Sequence, residues 1–403
     1  MLSALAIVAE LQPAAARPSA LAGELCRALA RPVDETAPGA EPLFLASYRP
    51  GPGEAAVPEP LRTSAFAYDN ALAVSALLAC GDAARARRIG EAFLIAIDQD
   101  RTFRDGRVRN AYRAGPVRPA SPVLLPGWWD AAAALWAEDR YQDGTATGNV
   151  AWAGLALMAL HDATGEARFR DGASRLAAWI RAQAADGPRP GFTGGRDGYD
   201  PEQTALAWKS TEHNLDVAAL GVWLGGPSDL AMAASARAFV TSAFDPAAGC
   251  FRMGTTPDGG MQGPDVLALD TQLWPLLAIR DAPAPWWRAL ACAEARLAVP
   301  GGFDFNDDRD GLWVEGTAQA ALAYRAAGRP ETAAGLLASA AAERDASGWL
   351  YATREPQVTT GLMIGPQSAS ADFLYYRRPH LGATAWAALA ALGSNPFTGR
   401  SVR

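Results

Sequence analysis

The chain has 403 residues, 50% hydrophobic and 20% charged, a globular composition with ample material for a core. Its net charge of −7 excludes the basic face that a nucleic-acid partner requires. No apolar run reaches the roughly 18–20 residues that cross a membrane.

Alanine dominates the apolar set and β-branched residues are scattered, so the fold class is all-α. Nearly all positive charge is arginine, the bias of a GC-rich genome, and Lys209 is the single lysine. Residues 1–18 lack a basic leader and are interrupted by Glu10, so they read either as an atypical signal or as a helix. A periplasmic or extracellular location is expected ahead of a cytoplasmic one. Ser19–Ala30 follows as a helix. Six Ala/Leu-rich segments then begin at Tyr68, Gly148, Ser210, Asp270, Val314 and Pro379, each opening on a polar cluster. They are apolar nearly all round, as helices buried on most sides are.

Five of the six run through a short turn into a more amphipathic helix, approximately 84–97, 167–183, 228–244, 285–298 and 331–344. The sixth has no such partner downstream, and Ser19–Ala30 is expected to dock beside it. That arrangement closes an (α/α)6 toroid of six helical hairpins over residues 19–396, with 397–403 as a tail. The polar heads are spaced unevenly, at roughly 45 to 80 residues, unlike a solenoid of constant period. Returns from outer to inner helix are long, notably 98–147, 184–209 and 345–378. In a closed ring these all emerge on one rim, which makes that rim the working face. They carry Tyr112, Trp128, Trp129, Tyr141, Trp208, Trp313 and Trp349.

With YDNA from Tyr68, TEHN from Thr211 and WVEGTAQ from Trp313 at the helix heads, the chain resembles the six-hairpin glycosidase superfamily. The resemblance implies an active site at the N-terminal ends of the inner helices.

The densest polar cluster runs from Lys209 to Asp216 and includes Glu212, His213 and Asn214. Ser210 or Thr211 is the expected cap, and Glu212 shares a helix face with Asp216. A helix N-terminus lowers a carboxyl pKa, so a general acid here needs burial or a neighbouring acid to oppose it. Tyr68, Asp69 and Asn70 open the first inner helix, and Asp270 and Gln272 the fourth, on opposite sides of the ring. Trp313, Glu315 and Gly316 open the fifth, Gly316 leaving room for a ligand or a backbone. His213 and His380 head opposite helices, Asn149 heads the second, and His161 is expected to be structural.

Broad rings such as Trp129 and Trp313 suit sugar faces or plain loop packing, whereas Trp274 and Trp386 are expected in the core. Cys26, Cys80, Cys250 and Cys292 are far apart, so neither a zinc site nor a disulfide framework is expected. Asn306, Asp308 and Asp310 have calcium-loop spacing, but Thr317 stands where the loop needs glutamate. They read as a solvated acidic loop, and no metal or cofactor is expected. The function these residues point to is glycoside hydrolysis of an oligo- or polysaccharide, with Glu212 as acid and Asp69 or Asp270 as base. The alternatives are a sugar epimerase or lyase using His213 and His380, and a glycan-binding or scaffold protein without turnover. The substrate-binding set comprises Tyr68, Asn70, Trp129, Asn149, Lys209, His213, Asn214, Gln272, Trp313, Glu315 and His380.

Overall fold

The computed structural model describes residues 19–51, 56–119, 121–365, 368–370 and 373–402, and residues 1–18 lie outside it. Thirteen α-helices are described. They are α1 (Ala20–Thr36), α2 (Ala67–Ala79), α3 (Ala83–Asp98), α4 (Arg140–Asp143), α5 (Thr147–Thr164), α6 (Ala167–Gln183) and α7 (Thr211–Leu224). The rest are α8 (Pro227–Ala243), α9 (Leu269–Ala278), α10 (Ala289–Arg296), α11 (Val314–Ala326), α12 (Pro330–Ala342) and α13 (Leu381–Leu392).

Helices α2, α5, α7, α9, α11 and α13 pack each on the next, and α13 returns onto α2. Behind them stand α3, α6, α8, α10 and α12, and α1 packs on α13. The N-terminal helix thus supplies the missing sixth partner, and the architecture is the all-α (α/α)6 toroid. The strands described are short antiparallel pieces, in sheets of two or three. The inner helices are apolar around their circumference because each has neighbours on both sides and behind; in α13 every residue from Leu381 to Ala390 is buried. Gly165, Gly225 and Gly393 end α5, α7 and α13 in the left-handed conformation that glycine allows.

A common register runs around the ring. The fourth residue of an inner helix latches the chain that returns from an outer helix. In α2, Asn70 Oδ1 accepts from the Leu45 N–H at 2.8 Å while Nδ2 donates to the Leu45 carbonyl at 3.0 Å. Asn214 does the same to Phe192 at 2.8 and 3.0 Å, and Gln272 to Phe251 at 2.9 and 2.8 Å. The hydroxyls of Thr317 and Thr384 accept from the Phe303 and Leu350 N–H groups at 3.1 and 3.0 Å. In α5 that position is Val150, and Thr147 donates instead to the Thr193 carbonyl at 2.7 Å. Each latch satisfies buried backbone groups that would cost about 1–3 kcal/mol if left unpaired. This corrects the sequence reading of Asn70, Asn214 and Gln272 as sugar-binding amides, since both ends of each amide are spent on backbone.

The sixth residue forms the floor. Trp152, Trp274 and Trp386 occupy it on alternate helices, with Trp152–Trp274 at 5.5 Å and the other two pairs at 6.2 Å. Residues 397–402, expected as a tail, instead supply Phe397, which packs on Trp152 at 4.9 Å and Trp274 at 5.3 Å and plugs the ring beneath them.

The cysteine expectation is overturned. Cys26–Cys80 ties α1 to the end of α2, and Cys250–Cys292 ties the return after α8 to α10. Separation along the chain hid these pairs; ring closure brings them together. The first spans 54 residues and fastens the closing helix, so the double substitution Cys26→Ser/Cys80→Ser is expected to cost about 3–4 kcal/mol. Urea unfolding of the two proteins, both oxidised, checks it; an unchanged midpoint would mean that packing alone closes the ring.

Candidate active site

The second residues of the inner helices are Tyr68, Gly148, Glu212, Asp270, Glu315 and Gly382. One register position therefore gathers three carboxyls at the mouth of the ring, and Asp69, next to Tyr68, adds a fourth. Asp270 is 4% exposed, Asp69 3%, His380 3% and Glu315 1%. Glu212 keeps partial access to solvent.

The acids fall into two linked groups. On one side Glu212 of α7 is hydrogen-bonded to Asp270 of α9, a contact that requires a shared proton. Burial, then the Asp270, Asp216 and Glu315 carboxyls, push Glu212 well above the carboxylate range. Burial also pushes Asp270 up to about 7, against the Thr271 N–H and Glu212, which both favour its ionised form. One turn below, Asp216 is raised by burial and by Asp270. It faces the Trp152 indole N–H, which opposes that rise but does not close to full hydrogen-bond geometry.

On the other side His380, the N-cap of α13, bridges two helices. Its Nε2 is 3.4 Å from Asp69 Oδ2 and its Nδ1 is 3.5 Å from Glu315 Oε2. Glu315 Oε1 accepts from the Tyr68 hydroxyl at 2.7 Å, and that hydroxyl accepts from Trp386 Nε1 at 2.8 Å. Burial lifts Glu315 to about 7, partly offset by His380. Burial disfavours an imidazolium at His380, but Asp69 and Glu315 outweigh it and raise the ring's pKa. Glu315 and His380 thus compete for one proton. Tyr48 stacks on the imidazole at 4.5 Å and Tyr375 meets it edge-on at 6.1 Å. Gly382 makes the approach possible, because a Cβ there would lie 2.7 Å from both Asp69 Oδ1 and Glu315 Oε2.

Ligand atoms of Asp69, Glu315 and His380 lie within 4.8 Å of one another. Each of those atoms already faces another member of the trio, the two ring nitrogens of His380 facing Asp69 and Glu315. The acidic loop has its own partners: Asp308 accepts from the Thr359 hydroxyl and Asp310 from the Thr359 N–H.

The remaining sequence candidates are placed as follows. Asn149 donates to Asn110 at 2.8 Å and is hydrogen-bonded to Tyr141, whose hydroxyl burial pushes up to about 12 and which feels Glu212 and Asp69. His213 flanks Trp208 at 5.6 Å, and burial lowers its pKa to about 4. His161 meets the Glu166 carbonyl through Nδ1 at 3.1 Å. Trp129 is 60% exposed on a hairpin, opposite Trp136.

Three sequence readings need correction. The Lys209 ammonium is bound to the Pro190 carbonyl at 2.6 Å and to Asp186 at 2.9 Å, so it anchors a return. Trp313 is buried against Phe305 at 4.9 Å and Tyr375 at 5.4 Å, with no face left for a sugar. Gly316 admits that indole rather than a ligand, since its Cβ would lie 2.1 Å from Trp313 Cε3. Sequence reasoning missed Tyr48, Tyr375 and Gly382. The aromatic run Phe373–Tyr376 ahead of the last inner helix was the available signal for Tyr375.

No family model matches the sequence, and no curated protein matches it. Solved structures do match along nearly the whole chain. A wild-type glycosidase is 16% identical with a TM-score of 0.60, covering 92% of this chain and 96% of its own. A cellobiose 2-epimerase from Bacillus thermoamylovorans is 11% identical with a TM-score of 0.61, covering 92% and 98%. The chain has the six-hairpin glycosidase-like toroid fold. A GH76 α-mannanase of Bacteroides thetaiotaomicron is a further toroid of this kind, at 12% identity, TM-score 0.55 and 92% and 95% coverage.

The buried acids give the toroid a definite pH response. Asp216 has a raised folded-state pKa. Its proton therefore stabilises the fold below the unfolded value of about 3.9, and that stability drains away as pH climbs toward the folded value. Asp216→Asn cannot lose it. The melting temperature of the variant minus that of the wild type should grow as pH rises above about 4; a flat difference would contradict the raised pKa.

Proposed function

We propose that the protein is a glycoside hydrolase acting on an oligo- or polysaccharide. Glu212 is the general acid and Asp69 the general base. The observation that carries this reading is the contrast between the two sides of the mouth. Glu212 is partly open to solvent, hydrogen-bonded to Asp270 and pushed toward its protonated form. Asp69 faces a ring nitrogen of His380, which can donate to an ionised carboxylate. A carboxyl held protonated on one side and a second carboxyl facing a hydrogen-bond donor on the other suit acid/base cleavage of a glycosidic bond. Asp270 is better explained as the neighbour that keeps Glu212 protonated than as the base. The two acting acids stand on helices separated by α5, which favours a water between base and sugar and hence inversion. The likeness to glycosidases and sugar epimerases supports carbohydrate as the substrate class. Two disulfides suit a periplasmic or extracellular location.

Epimerisation is the second reading, because His213 and His380 head opposite helices of the ring. It is less favoured, since both nitrogens of His380 are engaged and burial makes His213 a weak base. A glycan-binding protein without turnover is the third. Reducing-sugar release from an oligosaccharide panel, with deuterium incorporation from heavy water followed in parallel, separates the three.

Glu212→Gln and Asp69→Asn should each lower kcat/KM by about 10²–10⁴-fold, the usual worth of general acid–base catalysis, with the fold intact by circular dichroism. Retained hydrolysis in either variant removes that residue from its role. Exchange of a sugar C–H without hydrolysis would move the protein to the epimerases.

A further inference from the structure

We propose that Glu315 is a positioning residue, holding a proton that fixes the tautomer of His380 and so keeps the Nε2–H aimed at Asp69. The proposal rests on the hydrolase reading and assigns a role within it that sequence reasoning did not separate from sugar binding.

The hydrogen bonds at His380 decide where the protons sit. The Ala383 N–H donates to Nδ1 at 3.2 Å, in the manner of a helix N-cap. Nδ1 therefore carries a lone pair, and the ring proton is on Nε2, facing Asp69 Oδ2 at 3.4 Å. An ionised Glu315 would then set a bare oxygen against a lone pair, and Oε2 is a buried atom with no hydrogen-bond donor of its own. A proton on Oε2 eases the conflict, because the carboxylic acid can then face Nδ1 across the 3.5 Å contact and share its one lone pair with the Ala383 N–H. Its other oxygen, Oε1, is already held by Tyr68, with Gln319 Nε2 at 3.4 Å. The chain runs from the Glu315 O–H to His380 Nδ1 and from the His380 Nε2–H to Asp69. Moving the proton from Glu315 to His380 keeps the net charge but costs the Ala383 cap.

The groups that face this trio come from every side. Tyr48 stacks on the ring and Tyr375 meets its edge. Tyr68 and Asp69 lie on α2, and the fields of Asp270 on α9 and Glu212 on α7 also bear on Glu315. Asp69, Glu315 and His380 are all buried, so the three form one enclosed cluster. Gly382 lets α13 close over both carboxyls, as a buried relay requires.

Glu315→Gln and Glu315→Leu test the role, compared on an oligosaccharide that the wild type hydrolyses. The Gln amide keeps an acceptor for Tyr68 and replaces the O–H with an N–H donor. Its kcat/KM should stay within about tenfold of wild type, against the 10²–10⁴-fold loss that marks a reacting acid. The Leu variant leaves the Ala383 N–H as the one group holding the Nδ1 lone pair, so the ring can take a second proton beside Asp69. Its kcat should fall about a hundredfold at unchanged KM, and the limb of the pH profile that reports base ionisation should shift to lower pH. An ionised Glu315 would help Asp69 to raise the pKa of His380; with the proton held on Glu315 that contribution is gone, so nitrogen-15 spectra of the wild type should show His380 neutral with Nε2 protonated. Glu315→Gln as inactive as Glu212→Gln would overturn the proposal, as would an imidazolium signal at neutral pH or an unmoved limb in the Leu variant. Those failures leave the hydrolase reading standing, whereas retained activity in Glu212→Gln and Asp69→Asn would sink that reading itself.

Discussion

Six helices that close around one axis bring six N-terminal ends together, and in this chain Asp69, Glu212, Asp270 and Glu315 come with them. Helix N-termini favour negative charge, but only by about 0.3–1 kcal/mol each. Two unit charges 4 Å apart repel by about 4 kcal/mol at an effective dielectric of 20, and burial adds to that. Burial wins, helped at Glu212 and Glu315 by neighbouring carboxyls. Glu212, Asp270 and Glu315 are all driven toward the protonated form, and the mouth of the ring becomes a store of protons. Acid/base chemistry at neutral pH needs such a store.

The register gives each layer of the ring one task. Second residues line the mouth, fourth residues bind the returning chain on every inner helix but α5, and the sixth residues of α5, α9 and α13 build an aromatic floor closed by Phe397. Glycine occurs at the second position where another helix's polar groups must pass. At Gly148 a Cβ would lie 2.5 Å from the His213 ring, and at Gly382 it would meet two carboxyls. The floor is tied to the acids through Trp386 Nε1, Tyr68 and Glu315, so packing beneath the site also orients it.

The hairpins were legible in the sequence because turn glycines and long apolar runs mark buried helices directly. Ring closure by the N-terminal helix followed from counting partners. Glu212, Asp69, Asp270 and Glu315 were visible as polar heads on apolar helices. Less visible was which polar head faces the axis. Asn70 and Asp69 are adjacent, yet about 100° of helical rotation sends the first to a backbone latch and the second to His380. Lys209 stood out as the single lysine, but uniqueness in composition carries no information about direction. The Asp69–His380–Glu315 contact joins α2, α13 and α11, and the disulfides join cysteines 54 and 42 residues apart. Neither leaves a local sequence pattern.

The central claim is that the mouth of the ring holds protonated carboxyl groups at neutral pH, Glu212 among them. Infrared difference spectra of the carboxyl C=O stretch, recorded through a pH titration of wild type and Glu212→Gln, measure this directly. The wild type should retain protonated-carboxyl absorption at neutral pH, above the range in which exposed acids ionise, and Glu212→Gln should lose part of that band. Complete ionisation of every carboxyl below about pH 6, near the top of the ordinary range for Asp and Glu, would contradict it.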